Sequence, residues 1–443
     1  MARETDHTPP GVLRNLRSDL DSVMRRLGTM PSGAVTTGTL DPLYRGGGPA
    51  KVKIDGVLST DAYGWATPYV PNGPRLVRLQ RANGTWDILG QSTDESVYLD
   101  YNEAVVDLYG ERSVDTVWNL RPRATKLALS GLVVLSGLFI TIGTPASNTV
   151  IATLPPGMRP PFRVIHSVEY GDSDRVVRID PNGDILISPA PAANAYISLD
   201  GVAFHPEGVG TWTDVGSGGS SFGANFEAWP GSGVGTPQFY KDPWGFVWFR
   251  GLVRIATAPT LDNTVMINMP ASHRAQAQSH FRSASEDRFG LIGARTTGGL
   301  DWKVGTPSAV GSWISLTGAC VVTSDALSLN PWRAVKSYSN SWGQYPGAFT
   351  QAGYLRREDG LAITKGLINA GTIGTKMFAT IDEEMWPSGG RIIVPAVSNQ
   401  ARARMDVFAA RDLEAPASGG PGTMLGRGGS NNWFSLDSLK WVP

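Results

Sequence analysis

A glycan-cleaving site needs two carboxylates, one acting as acid and the other as base or nucleophile. Asp382-Glu383-Glu384 stands beside Trp386 and offers that combination. An earlier copy of the same repeat, described below, has a proline turn at this position and no acid, which argues against catalysis. Asp200 and Asp437 occupy matching places in two copies, but Thr317 stands there in the middle copy. A group dispensable in one copy reads as a turn or capping residue. The five histidines are His7, His166, His205, His273 and His280, and none falls in an HExxH pattern, a Cys/His zinc pattern or a nucleophile elbow. His273 and His280 flank SHRAQAQSH and could supply two metal ligands, although a solvated loop or strand edge explains them as well. The glycine-rich runs at 216–223 and 419–429 lack the Lys-Ser/Thr of a phosphate loop and read as loops. The expectation is a non-enzymatic chain with no catalytic residue, metal site or cofactor.

Aromatic side chains are the better candidates for binding. Sugars stack their C–H faces on Trp or Tyr while polar neighbours bond the hydroxyls. Trp342 and Tyr345 in SWGQYPG, Trp386 at an expected turn, and Trp433 after GGSNN all sit among polar and turn residues. They form the candidate receptor-binding set. The competing reading places them in a core or between chains, since Trp is equally useful there.

Composition removes other classes. The chain carries 39 basic and 39 acidic residues with no basic block, so nucleic-acid binding loses its main electrostatic term. Cys320 is the single cysteine, which leaves no disulfide framework. No secretory h-region is visible in residues 1–10, and synthesis in a reducing cytoplasm is expected. Leu127 to Ile142 is an uncharged run of sixteen residues, short of the roughly twenty that span a bilayer. Its counterparts in other copies carry Arg250 and Lys365 in place of Ser136, so it reads as strand, turn and strand rather than a membrane insertion.

Several elements must position these groups. Leu13, Leu16, Leu20, Val23 and Leu27 fall at spacings of three and four, a heptad seam suited to a short coiled coil that oligomerises the chain. Two heptads are too few to assemble alone. Residues 29–49 read as a Gly/Pro/Thr linker. From Ala50 the pattern alternates, and Asn83-Gly84 between two alternating runs signals a hairpin.

The rest of the chain is one unit written three times. Gly131-LVVLS-Gly137-Leu138, Gly245-FVWFR-Gly251-Leu252 and Gly360-LAITK-Gly366-Leu367 open the copies, at spacings of 114 and 115 residues. A second landmark follows as TLPPGMRP, NMPASHRA and TIDEEMWP. A third closes each copy: Ile197 to Gly201, Ile314 to Gly318, and Phe434 to Ser438. Trp-rich leaders precede copies two and three, whereas copy one has only VWNLRPR and its leader reads as truncated. Short β-prone runs with frequent turns suggest sandwiches of the jelly-roll kind. The expected fold is mainly β. It comprises an N-terminal coiled-coil helix (1–30), a linker (31–49), a small β domain (50–118), and β-sandwich modules at 119–208, 209–330 and 331–443.

The run from Gly353 to Ile368 (Gly-Tyr-Leu-Arg-Arg-x-Asp-Gly, then Gly-Leu-Ile), followed by the element written Thr153-Leu-Pro-Pro-Gly-Met-Arg-Pro160 in copy one, resembles the C-terminal modules of bacteriophage tail fibres and minor tail proteins. The resemblance covers residues 120–443, with weaker support from the heptad, linker and small β domain. Arginine outnumbers lysine about threefold, as in phages of GC-rich actinobacteria. NMPASHRA departs from the pattern, having lost its glycine and final proline. The resemblance implies a homotrimeric virion protein, bound to other tail proteins, that attaches the phage to a host-envelope glycan by multivalent adhesion with the modules extending outward. A tail-associated glycan depolymerase and a bacterial carbohydrate-binding protein are the alternatives. The first calls for one long domain with a carboxylate pair, and the second for an export signal.

Overall fold

The computed structural model describes residues 122–443 except 172, 260–261, 304–305, 307, 336, 378–380, 388–389 and 410–419. Before these it describes 35–40, 49–54, 57–58, 63–65, 76–82, 85–91, 95–101 and 105–107. The heptad residues Leu13, Leu16, Leu20, Val23 and Leu27 lie outside the described residues. The protein is mainly β, and its strands fall into two compact units, residues 1–94 and 95–443.

The first unit holds a six-stranded sheet. Leu76–Ala82 and Thr85–Gln91 pair antiparallel with Ala82 opposite Thr85, the hairpin expected on either side of Asn83-Gly84. Val35–Leu40 was expected to be linker and is instead a central strand, paired with both Leu76–Ala82 and Val52–Ile54. Its β-branched Val35, Thr36, Thr37 and Thr39 suit an extended backbone.

In the second unit each copy of the repeat is a sandwich of a four-stranded sheet and a larger sheet of six or eight strands. Glu95–Tyr98 pairs with Arg123–Lys126, while Asp100–Tyr101 and Val105–Asp107 join the two edges of the larger sheet. These three strands occupy the places that Thr213–Asp214, Ser221–Phe222 and Phe226–Ala228 hold in the second module. The first module therefore begins at 95 rather than 119, and its leader is present. Tyr98 and Tyr101 stand in it where tryptophans were sought.

The opening motif explains how the modules meet. Along each copy, alternate residues face opposite ways, as the period of two requires. Val133 and Leu135, Val247 and Phe249, and Ala362 each enter the core of their own sandwich. The intervening Leu132 and Val134, Phe246 and Trp248, and Leu361 and Ile363 converge on a single core shared by all three. Both faces of these strands are buried, which is why the first copy reads as an unbroken apolar run. That run forms strands Val133–Ser136 and Leu138–Thr141. No helix of the described residues is long and apolar enough to cross a membrane.

The resemblance implied modules that extend outward. Instead they close on one another within one chain around a pseudo-threefold axis. Strands Val164–Tyr170, Ser279–Ser285 and Ile392–Ser398 each contact the other two. Gly318 (φ +83°) fits beside the axis because it has no side chain: a Cβ there would lie 3.0 Å from the His166 ring. Gly201 holds the equivalent place, where a Cβ would lie 2.7 Å from Val394 Cγ1.

Because the core is shared, residues 95–443 should unfold in one calorimetric transition. Trp248 is 2% exposed in that core, and its Nε1 donates to Asp242 at 2.9 Å. Trp248→Ala should therefore destabilise the whole ring by about 3–5 kcal/mol, lowering that single transition. Three separate transitions, with only one of them moved, would contradict a shared core.

Candidate functional site

The closing landmark of each module is a clasp on its neighbour. Ser198 Oγ donates to Ile393 O (2.8 Å), Ser315 Oγ to Ile165 O (2.7 Å) and Ser435 Oγ to His280 O (2.8 Å). The bonds run cyclically, with module one holding module three, two holding one, and three holding two. In two clasps an aspartate completes the grip. Asp200 accepts from Gly137 N (2.8 Å) in its own opening motif and from Ile393 N (2.7 Å) next door. Asp437 likewise accepts from Gly366 N (2.7 Å) and His280 N (3.0 Å). Burial pushes both carboxyls up to about 6, although the amide bonds pull the other way. These aspartates serve as capping groups between modules, in line with the sequence.

The axis itself carries charge. Glu169 of the first module pairs with Arg282 of the second and with Arg402 of the third, the latter at 3.3 Å. Arg282 also donates to Ser167 Oγ (2.8 Å), Val168 O (3.2 Å) and Ala403 O (3.1 Å). Lys440 is fully buried and its Nζ reaches Gly318 O at 2.7 Å, while desolvation brings its pKa down to about 8. Between these groups lies a cavity of about 40 Å³ lined by His166, His280, Arg282 and Lys440, with room for little more than water.

A second ion network ties module two to module three. Arg357 donates to Asp242 (2.8 Å) and by a two-pronged grip to Asp359 (3.1 and 2.7 Å), with its guanidinium 4.2 Å over the Trp244 ring. These are the Arg and Asp of the Gly-Tyr-Leu-Arg-Arg-x-Asp-Gly run.

The candidate aromatic set is not gathered into one site. Trp342 is 4% exposed, lies in the third module's core and meets Phe434 edge-on, so it cannot stack a ligand. Trp386 packs on the same core and donates from Nε1 to Ile381 O (2.8 Å). Trp433 stacks on His280 with ring centroids 4.9 Å apart and packs against Phe289 and Leu291 of the second module. Tyr345 is half-buried and edge-on to Phe349. Core and inter-module packing claim these side chains.

The groups considered for chemistry are also dispersed. Asp382 and Glu384 pair with the exposed Arg333. His273 ends a 3-10 turn beside Ser272, whereas His280 is buried on a strand between modules, neither in a loop nor at a solvated edge. The 419–429 run contains strand Met424–Arg427 as well as loop. NMPASHRA keeps the task of TLPPGMRP despite its lost residues. Arg274 Nε reaches Met269 O at 3.5 Å, as Arg159 Nε reaches Leu154 O at 3.0 Å. Among the described residues no three His, Cys, Asp or Glu side chains are placed to hold a metal ion.

What the sequence reading missed is a difference between the three seams. The strand beside each axial strand faces the neighbouring module, and its three copies align as Val176, Leu291 and Arg404. Val176 and Leu291 are buried aliphatics. At the seam of modules one and two, Arg178 is matched by Asp287 (2.6 Å), which also accepts from Ser188 Oγ (3.0 Å). At the seam of two and three, Phe289 and Leu291 meet Val397 and Trp433. At the seam of three and one, Arg404 bonds the Tyr196 hydroxyl and lies 3.1 Å from buried Asp406. Arg427 (2.7 Å) and Arg391 (3.9 Å) crowd the same carboxylate. The repeat alignment could have flagged this, since arginine replaces an aliphatic at one matching position.

No family model, no curated protein and no solved structure matches the chain.

Three buried histidines set the acid response. Desolvation holds His166, His205 and His280 down to about 3, reinforced by Lys440, by Arg357 and Arg250, and by Lys303 respectively. The unfolded chain would take up a proton at each below about 6.5, which removes stability as pH falls. Asp200 and Asp437 act oppositely below 6, because the folded state binds protons there that the unfolded state does not. From pH 7 to 5 each buried histidine loses about 2 kcal/mol, while Asp200, Asp437 and the other carboxyls that burial pushes up, Glu169, Asp242, Asp301 and Asp406, return stability over the same range. Urea titrations of wild type and His205→Phe at the two pH values should give a pH 5 loss smaller by about 2 kcal/mol in the variant. An identical pH dependence in the two proteins would refute the neutral assignment of His205.

Proposed function

We propose that the chain is a non-enzymatic structural protein of a phage tail, a tail fibre or minor tail protein, that holds the virion to the host-cell envelope. The observation that supports this best is the ring itself, three sandwiches clasped about one axis. Such a head is rigid and offers loops on three sides, each a separate point of attachment. Chemistry finds little foothold beside it. The paired acids Asp382 and Glu384 are tied to Arg333, and Asp200 and Asp437 of the closing landmark are occupied with backbone amides.

The ring also bears on oligomerisation. Contacts that a homotrimer would make between sandwiches are made here within one chain, so self-association falls to the heptad at Leu13 to Leu27. A trimer joined there would present nine modules, and avidity could then exceed single-site affinity by about 10²–10⁴. The partners on this reading are other copies of the chain, other tail proteins and an envelope glycan, and the place of action is the virion.

Two measurements test the reading. Light scattering should give a mass of about three chains for the full protein and of one chain after deletion of residues 1–34. Labelled full-length protein should adhere to actinobacterial cells and release no new reducing ends from their envelope glycans. Absence of adhesion to every strain in a broad panel would end the attachment reading, and released reducing ends would replace it with a depolymerase.

A further inference from the structure

We propose that Arg250, at the seam between the first and second modules, anchors a binding site for the carboxylate group of a ligand.

Arg250 closes the second module's opening strand, Phe246–Arg250. Its Nε donates to Gln238 Oε1 (2.7 Å) on the paired strand, and Gln238 Nε2 donates in turn to Asp214 Oδ1 (2.7 Å). Thr236 Oγ1 donates to the same oxygen at 3.2 Å. Asp214 thus fixes which way the Gln238 amide faces, and the amide holds the guanidinium by one edge. The outer nitrogens Nη1 and Nη2 have no protein partner. Two rings flank the group. Its Cζ lies 3.9 Å from the Trp212 ring centroid and 5.0 Å from that of Phe162 in the first module. Phe162 reaches across the seam over Gly235, where a Cβ would lie 2.1 Å from the phenyl Cζ.

Packing does not require a guanidinium here. In the third module Lys365 takes the same place, 4.7 Å over Trp332, with 8% of its surface exposed. In the first module Ser136 takes it and carries no charge. Where an arginine does stack on a tryptophan inside the ring, as Arg357 does on Trp244, Asp242 and Asp359 meet its charge. Arg250 is half-buried, yet among the described residues no carboxylate lies within ion-pair distance of it. Burial holds its pKa down to about 10, although Asp214 pulls the other way. A guanidinium desolvated by its neighbours and lacking a counter-charge gains from an anion that offers two oxygens in one plane. The exposed Asp214 nearby disfavours a doubly charged group, so a carboxylate suits the place better than a phosphate.

The test is calorimetric titration of the full-length chain with a galacturonate trimer, its methyl ester and sodium acetate at fixed ionic strength. Wild type should bind the trimer and acetate and ignore the ester, and inorganic phosphate should compete no better than acetate. Arg250→Gln should weaken trimer binding about tenfold or more, the loss of one charge-assisted contact. Arg250→Lys keeps a cation over Trp212, as the third module does over Trp332, and should fold as wild type. It should still bind about tenfold more weakly, because the two-pronged fork is gone. Arg254→Gln removes an arginine already paired with Glu227 and should bind as wild type. Melting curves verify that each variant is folded. Trimer binding well above that of acetate identifies an acidic polymer as the source of the carboxylate, and equal binding identifies a free small acid. Absence of binding by both, equal binding of the ester, unchanged binding in Arg250→Gln and Arg250→Lys, an equal loss in Arg254→Gln, or tighter binding of phosphate would each overturn the assignment. Adhesion to cells, which tests attachment, is independent of all these outcomes.

Discussion

The carboxylate of Glu169, in the first module, is held by Arg282 of the second and Arg402 of the third. It is 1% exposed, so its charge has to be met by protein partners rather than water. Breaking a buried pair of this kind costs about 3–5 kcal/mol, because the remaining charge is left buried without its partner. One carboxylate thus ties all three modules together at the axis. Around this centre the clasps act on backbone atoms and fix register, while the shared core of Leu132, Trp248, Ile363 and their neighbours supplies the apolar burial that drives closure.

Much of the fold was legible because repetition amplifies weak signals. One Gly-x5-Gly-Leu segment means little, but three at nearly equal spacing define a module and its opening strand. The alternation within that segment also held the division between own core and shared core, with Val133 on one side and Val134 on the other. The hairpin flanking Asn83-Gly84 was legible for a local reason, since that dipeptide suits the two-residue turn. The first module's leader was not, because Tyr98 and Tyr101 replaced the tryptophans that marked the others. Strand Val35–Leu40 was hidden by the Gly and Pro around it, although its own β-branched residues carried the signal.

The ring was illegible for a deeper reason. Each clasp grips a backbone carbonyl, and in two cases the amide as well. Those groups are present at every residue apart from the missing proline N–H. Ile165, His280 and Ile393 are accordingly unrelated in type though equivalent in role. Only the donor side leaves a trace, the Ser-Leu-Asp of the closing landmark. The candidate site suffered similarly. Trp342 and Trp433 stood among polar residues in sequence, yet a turn folds each back onto a core that belongs partly to other strands.

Writing the three modules in one chain also permits what a true threefold axis forbids. In a homotrimer any residue near the axis appears three times. Lys440 here shares its layer with Ala203 and Cys320, its counterparts opposite Ile363, Val134 and Trp248. Three lysines at that spot would repel by about 3 kcal/mol per pair at ~5 Å and an effective dielectric of 20. The same freedom lets Glu169 face arginines rather than copies of itself. It also lets one seam carry Arg404 and Asp406 while another closes on Leu291 and Phe289. Covalent linkage of the repeats thus relaxes the symmetry constraint on sequence while the clasps retain it in backbone geometry. Each seam is then free to diverge in its own packing and charge without disturbing the other two.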